Sequence, residues 1–224
     1  MNPVIIIPVF NSANRLAILI DKIRSLYSIP IIIVDDGSEP PVINNFSYSN
    51  VEYIVNKENL GKGAALRKGL ELAFNKSYTH GITMDSDLQH QPESLELFLS
   101  VDDSVSLVYG RRQFNKTMPF PRKVSNFFSS IIISTLSRNK IFDSQCGFRR
   151  YRLVDYHNFK YIERGFQFES EVLMKFLRKG LIVKHVKIPT IYDKEDSKIN
   201  NLIDTIKFIR FVFRFVLYNN KIKR

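Results

Sequence analysis

The sequence has a single cysteine, Cys146, in 224 residues. One thiol excludes an intrachain disulfide and a cysteine-rich zinc site, and the four histidines show no zinc spacing either. No apolar run approaches the roughly 20 residues that a transmembrane helix needs. Of the two longest, Phe127–Leu136 contains four hydroxyl side chains, and Ile206–Tyr218 is interrupted by Lys207, Arg210 and Arg214. Met1 to Phe10 is apolar but lacks a positive flank and a small-residue cleavage site, so it does not read as a secretory signal. Internal repeats and low-complexity segments are absent. With 44% apolar residues the chain has enough material for a core, which argues against disorder. The length fits one domain, or one domain plus an appendage, and the absences predict a cytoplasmic chain without a membrane-spanning helix.

What the chain has in excess is positive charge, unevenly spread. The formal net charge is +11, which on its own suits a nucleic acid, an anionic membrane surface or a phosphorylated substrate. Residues 1–100 hold 8 basic and 11 acidic side chains, a net of −3, while residues 101–224 hold 25 basic and 11 acidic, a net of +14. Such asymmetry points to two tasks: an acidic half able to hold a cation and a basic half able to meet anions.

Apolar, β-branched runs at Val4–Val9, Ile31–Val34, Val51–Val55, up to Ile82–Met84 and Ser106–Tyr109 read as buried strands. Helical spacing fills Ser12–Tyr27 and Lys62–Phe74, and Pro92 suits a helix start. Strands alternating with helices predict an α/β fold, a mostly parallel central sheet with helices on both faces. Ligands of such sheets bind beyond the carboxyl ends of the strands. Polar clusters fall at those ends: Asn11, then Asp35-Asp36, then Asn56 to Gly63, then Asp85 to Gln89.

Each cluster suggests chemistry and has a structural alternative. Asp85-Ser86-Asp87-Leu88-Gln89 offers two carboxylates and an amide, hard oxygen ligands for Mg²⁺ or Mn²⁺. The same residues would also suit an acidic turn with Asp87 capping a helix. Asp35-Asp36-Gly37-Ser38 presents carboxylates at a strand end for a nucleobase or ribose, and is equally a common turn. The small residues from Gly61 to Gly69 allow a backbone to approach a ligand at a helix start, or a helix to pack closely on a strand. This stretch is not a Walker loop, because the glycine spacing differs and no Lys-Ser/Thr pair follows.

Pro8-Val9-Phe10-Asn11, Val34-Asp35-Asp36-Gly37-Ser38, Asn59-x-Gly61-x-Gly63-x-Ala65 and Met84-Asp85-Ser86-Asp87-Leu88-Gln89-His90 stand in the order and spacing of family-two glycosyltransferases. The subgroup the chain most resembles is the polyprenyl-phosphate sugar transferases, typified by dolichol-phosphate mannose synthase. Gly110-Arg111-Arg112, Asp143 to Arg149, Phe168-Glu169-Ser170-Glu171 and Asp196-Ser197-Lys198 strengthen the likeness, which spans about residues 3–200. It implies a GT-A fold over 1–200; the cation-striped, phenylalanine-rich stretch 201–224 reads as a C-terminal amphipathic basic helix. The likeness also implies inverting transfer of a hexose from a GDP- or UDP-linked sugar to a polyprenyl phosphate with a divalent metal. A saccharide hydroxyl in glycan assembly is the alternative acceptor. The chain departs from the family at Phe10-Asn11-Ser12, where Tyr-Asn-Glu is frequent, and at Gln91, where proline is frequent.

The resemblance also implies roles. Pro8, Phe10, Asn11 and one of Asp35 or Asp36, with Asp36 preferred, line the nucleotide pocket beside Gly61 and Gly63. Asp85, Ser86, Asp87 and Gln89 serve the metal and diphosphate, and Lys198 lies on a loop over the diphosphate, unless that stretch is a plain helix cap at Asp196 or Ser197. Arg112, Arg122 and Ser125 face the acceptor phosphate, or belong to a solvated basic loop. Asp143 lies near the sugar and is the candidate base if the acceptor is a hydroxyl; an already ionised phosphate needs none. The acidic rim argues against a nucleic-acid partner. Lys207, Arg210 and Arg214 share one helical face within a phenylalanine-rich stretch. That pattern suits peripheral contact with an anionic membrane, packing on the core or on a partner subunit, or a membrane-protein partner.

Overall fold

The apolar runs form the strands they predict. In the computed structural model, residues 1–45, 48–113, 120–189 and 201–222 are described, with side chains left aside at 44, 45, 120–122, 201–204 and 218–222. Among the described residues seven strands make one sheet in the order β3-β2-β1-β4-β6-β5-β7. They are β1 (Pro3–Val9), β2 (Ile31–Asp35), β3 (Val51–Val55), β4 (His80–Thr83), β5 (Leu107–Arg112), β6 (Arg149–Arg152) and β7 (Val183–Ile188). β1, β2, β3 and β4 pair in parallel, as do β5 and β7; only β6 runs antiparallel, to β4 and β5.

Successive side chains of a strand point to opposite faces, so the isoleucine runs feed two cores. Val4, Ile6, Ile32 and Val34 face α2 (Lys62–Asn75) and α6 (Gln167–Arg178). Ile5, Ile7, Ile31 and Ile33 face α1 (Ala13–Leu26) and the short α3 (Leu95–Leu99), which follows a 3₁₀ turn at Pro92–Ser94. α2 lies close on the sheet because Gly69 has no side chain. A Cβ there would stand 2.5 Å from Ile6 Cγ2, so the packing explanation holds for this glycine.

α4 (Phe120–Ser137), the short α5 (Leu153–His157) and α7 (Asn201–Ile222) complete the first face. α7 turns Phe208, Phe211, Val212 and Phe215 onto that core, with Phe211 buried. Packing on the core is thus one of its jobs. Among the described residues no helix is long and apolar enough to cross a membrane.

The one antiparallel strand shapes the rim. Because β6 runs against its neighbours β4 and β5, with Arg149 opposite Thr83 and Tyr109, the loop 143–148 that feeds it lies at their carboxyl-terminal side. β6 reads Arg-Arg-Tyr-Arg, yet Arg149 and Arg150 are fully buried. Such charge is tolerated only when it is hydrogen-bonded. Arg149 donates to the carbonyls of Cys146, Ser144 and Glu169, and Arg150 to those of Phe98, Val101 and Asp102. Arg149 thereby fixes the 143–148 loop to the start of α6.

Candidate functional site

The rim gathers residues from five strand ends. After β1, Asn11 takes a left-handed backbone conformation (φ 48°). Its N–H donates to Ser38 Oγ at 2.9 Å and its Oδ1 accepts from the Glu39 N–H at 3.0 Å, clasping the turn after β2. Pro8 is buried within β1, opposite Val34, and Phe10 is half-buried at the strand's mouth.

The two carboxylates at the carboxyl end of β2 are both buried, and both serve the backbone. Asp35 accepts from the N–H groups of Ser38 (2.9 Å) and Val42 (2.8 Å), which holds its own turn. Asp36 reaches further. It accepts from Asn56 Nδ2 at 2.8 Å and from the N–H groups of Leu60 (3.0 Å) and Gly61 (2.8 Å). Asp36 therefore anchors the glycine turn that opens α2.

That turn is closely covered by neighbouring chain. Gly61 has φ +97°, and a Cβ on it would meet the Arg164 carbonyl oxygen at 2.6 Å; one on Gly63 would meet Phe168 Cβ at 2.6 Å. What presses on these two glycines is the chain's own segment 164–168, whose Arg164 carbonyl accepts from the Ala64 N–H at 3.0 Å.

Between the glycines stands Lys62, which sequence reasoning passed over. Its ammonium lies 2.7 Å from Asp85 Oδ1 and 2.9 Å from Glu169 Oε1. Burial opposes the charge, but the two carboxylates hold the Lys62 ammonium above its usual range. Burial alone would raise the Asp85 carboxyl; Lys62 foremost, then His90 and Arg112, hold it below the ordinary range. Gly147 closes over this pair: a Cβ there would stand 2.6 Å from Asp85 Oδ2 and 2.7 Å from Lys62 Nζ. A signal for Lys62 was present in its place inside the Gly-x-Gly turn, but nothing local named its partners.

Two residues on, Asp87 Oδ1 accepts from the Gln89 N–H at 3.0 Å, and Leu88 between them takes φ 64°. This turn leaves Ser86, Asp87 and Gln89 partly exposed. Behind it His90 is buried against Phe148, and its imidazole is pushed down by burial, with Asp85 and Asp87 pulling the other way. Two carboxylates and an amide are hard oxygen donors and fit Mg²⁺ or Mn²⁺, which keep water and share ligands with phosphates. Among the described residues no group of three or more His, Cys, Asp or Glu side chains is gathered for an ion.

At the end of β5 the basic half begins. Arg112 meets Asp143 in a two-pronged pair, Nε to Oδ2 at 2.7 Å and Nη2 to Oδ1 at 3.0 Å. The N–H groups of Arg112 and Gln145 add 3.2 Å bonds to the same carboxylate. Asp143 is fully buried, which would raise its carboxyl, and the Arg112 guanidinium holds it low. Ser125 on α4 accepts from Gln145 Nε2 at 3.3 Å. The hydroxyls of α4 have a further use: Ser129 and Ser130 bond Ser144, seating the helix on the 143–148 loop. The Arg122 side chain and Lys198 lie outside the described residues.

The family model described as Glycosyl transferase family 2 matches residues 4–174. A UDP-N-acetylglucosamine–dolichyl-phosphate N-acetylglucosaminyltransferase from Methanococcus voltae is 28% identical over 213 residues, covering 84% of this chain and 85% of its own length. A polyprenol monophosphomannose synthase from Mycolicibacterium smegmatis is 22% identical over 217 residues, covering 88% and 80%. Among solved structures, glucosyl-3-phosphoglycerate synthase from Mycobacterium tuberculosis, in complex with Mn²⁺, UDP-glucose and phosphoglyceric acid, has a TM-score of 0.72 at 18% identity, over 97% of this chain and 79% of that one. At that identity the likeness is one of fold.

Proposed function

The chain belongs to glycosyl transferase family 2, and on that premise we propose that it transfers a hexose, with inversion, from a nucleotide-diphosphate sugar to a polyprenyl phosphate at the cytosolic face of a membrane. The names of its relatives favour a lipid-phosphate acceptor. The observation in the chain itself that carries this reading is the Arg112–Asp143 pair. Asp143 is fully buried, is held below the ordinary carboxyl range by Arg112 and spends both oxygens on protein donors, which makes it a weak general base. A phosphate monoester is largely a dianion above its second pKa of about 6, so it attacks without one.

In this reading Pro8, Phe10, Asn11 and Asp36 hold the nucleoside, with Asp35 and the Gly61–Gly63 turn shaping the floor. Asp85, Asp87 and Gln89 hold the divalent ion. The ion would neutralise the departing diphosphate. Lys62 keeps Asp85 ionised and fixed, and Lys198 joins the donor phosphates. Arg112, with Arg122 and Ser125, aligns the acceptor phosphate. Asp143 holds the guanidinium of Arg112 in the orientation that a bidentate anion contact requires.

The test is a panel of GDP- and UDP-sugars with Mn²⁺ and a short polyprenyl phosphate, following nucleotide diphosphate release. One donor is expected to turn over only when the lipid phosphate is present. No release with any donor would overturn the reading. Asp143→Asn probes the acceptor. It is expected to lower kcat by about 10²-fold through loss of alignment. It should leave the acidic limb of the pH profile near pH 6, since that limb belongs to the lipid phosphate and activity rises as the dianion forms. Loss of that limb in Asp143→Asn would assign the base to Asp143 and favour a hydroxyl acceptor.

A further inference from the structure

α4 and α7 pack against each other and on α6, and both turn apolar side chains outwards. While one side of α7 is buried in the core, its other side carries Ile206, Ile209, Phe213 and Leu217, spaced three and four apart as one stripe. Phe213 is 65% and Leu217 61% exposed. On α4, Phe127 and Phe128 are each 58% exposed, on a helix whose inner side bonds Ser144. Exposed apolar surface on this scale marks an interaction site.

The charges around it choose the partner. The described side chains of α4 and α7 include Lys123, Lys207, Arg210 and Arg214, and no carboxylate. Lys207 and Arg210 are exposed beside the stripe, while Arg214 pairs with Glu163 of the segment leading into α6. A two-fold contact with a second copy would set these cations against themselves, which costs energy. An anionic bilayer takes both parts, its acyl boundary receiving the phenylalanines and its headgroups the cations.

We propose that the outer faces of α4 and α7 together form a docking surface that lies in the plane of an anionic membrane. The surface adjoins the loop that holds Asp143, because Ser125 and Ser129 on the inner side of α4 bond Gln145 and Ser144. Docking therefore sets the Arg112 end of the rim towards the lipid. This orientation rests on the lipid-phosphate acceptor proposed above; the docking itself does not.

Co-sedimentation of the full chain with vesicles of phosphatidylcholine, with and without phosphatidylglycerol and free of polyprenyl phosphate, tests it. Binding to the anionic vesicles is expected to exceed binding to neutral ones by at least about tenfold. Phe213→Ser with Leu217→Ser, and separately Lys207→Glu with Arg210→Glu, should each weaken it by at least about tenfold, each cation alone contributing roughly fivefold. All four side chains are exposed, so urea midpoints should stay at the wild-type value. Equal binding by wild type and variants, or none by wild type, overturns the proposal. So does a dimer in sedimentation velocity that Phe213→Ser with Leu217→Ser dissolves, which would give the face to a second copy. Vesicle binding without sugar transfer leaves the docking surface standing and removes the proposed acceptor.

Discussion

Asp87→Asn is expected to lower kcat/KM for sugar transfer by about 10³-fold, equivalent to about 4 kcal/mol of lost transition-state stabilisation. The same change should leave folding stability within about 0.5 kcal/mol of wild type. The separation follows from the geometry. The structural duty of Asp87 is to accept one N–H bond, from Gln89, through Oδ1, and an asparagine carbonyl does that equally well. What asparagine lacks is charge. If Asp87 faces the ion and diphosphate, the charge is what matters, and Mn²⁺ affinity measured by titration with nucleoside diphosphate should fall alongside the rate. Asp85→Asn is a less clean probe, because Asp85 also balances Lys62, so both rate and stability would suffer. Wild-type activity in Asp87→Asn would remove this residue from the metal-holding role.

Asp85 and Asp87 were legible in the sequence because the family's spacing points at them and because they follow an apolar run. Strand ends in a parallel sheet are recognisable wherever buried β-branched residues stop and polar ones start, which is why β1, β2, β3 and β4 are found nearly to the residue. β6 escaped for a physical reason. Two of its three buried side chains are arginines, and their burial is compensated by carbonyls from Phe98 to Glu169, partners that no local pattern names. β7 escaped because Val183–Ile188 alternates half-exposed residues at a sheet edge and carries little apolar signal. The hydroxyls of α4 were read as an interruption in an apolar run, whereas they are the seam that fastens α4 to the loop over the rim. The cationic face of α7 was visible from spacing alone. That the same helix also buries Phe211 became clear only once α4 and α6 were in place beside it.

Lys62 is the residue for which local pattern was least informative, and its replacement carries the largest expected stability effect. Lys62→Met is expected to destabilise the protein by about 3–5 kcal/mol, the usual cost of removing one member of a buried ionic cluster. Methionine fills the volume but leaves Asp85 and Glu169, the latter almost wholly buried, without the ammonium that lies within 3 Å of both. The pH dependence distinguishes this cause from poor packing. In the wild type Asp85 has a lowered pKa, so its contribution is present above the unfolded-state value and is lost as pH falls through the folded one. In Lys62→Met burial is no longer offset, the carboxyl pKa rises, and the folded state binds the proton more tightly than the unfolded chain does. The variant is then least handicapped in acid, and the gap to wild type should widen as pH rises from about 4, the unfolded carboxylate value, towards neutrality in urea unfolding. A gap of constant size across that range would mean that Lys62 contributes packing and not charge. Added Mn²⁺ supplies a second discriminator. If Asp85 is a metal ligand, the divalent ion takes over the neutralising charge and should recover part of the lost stability of Lys62→Met. The same ion should do markedly less for a Lys62→Met, Asp85→Asn double variant.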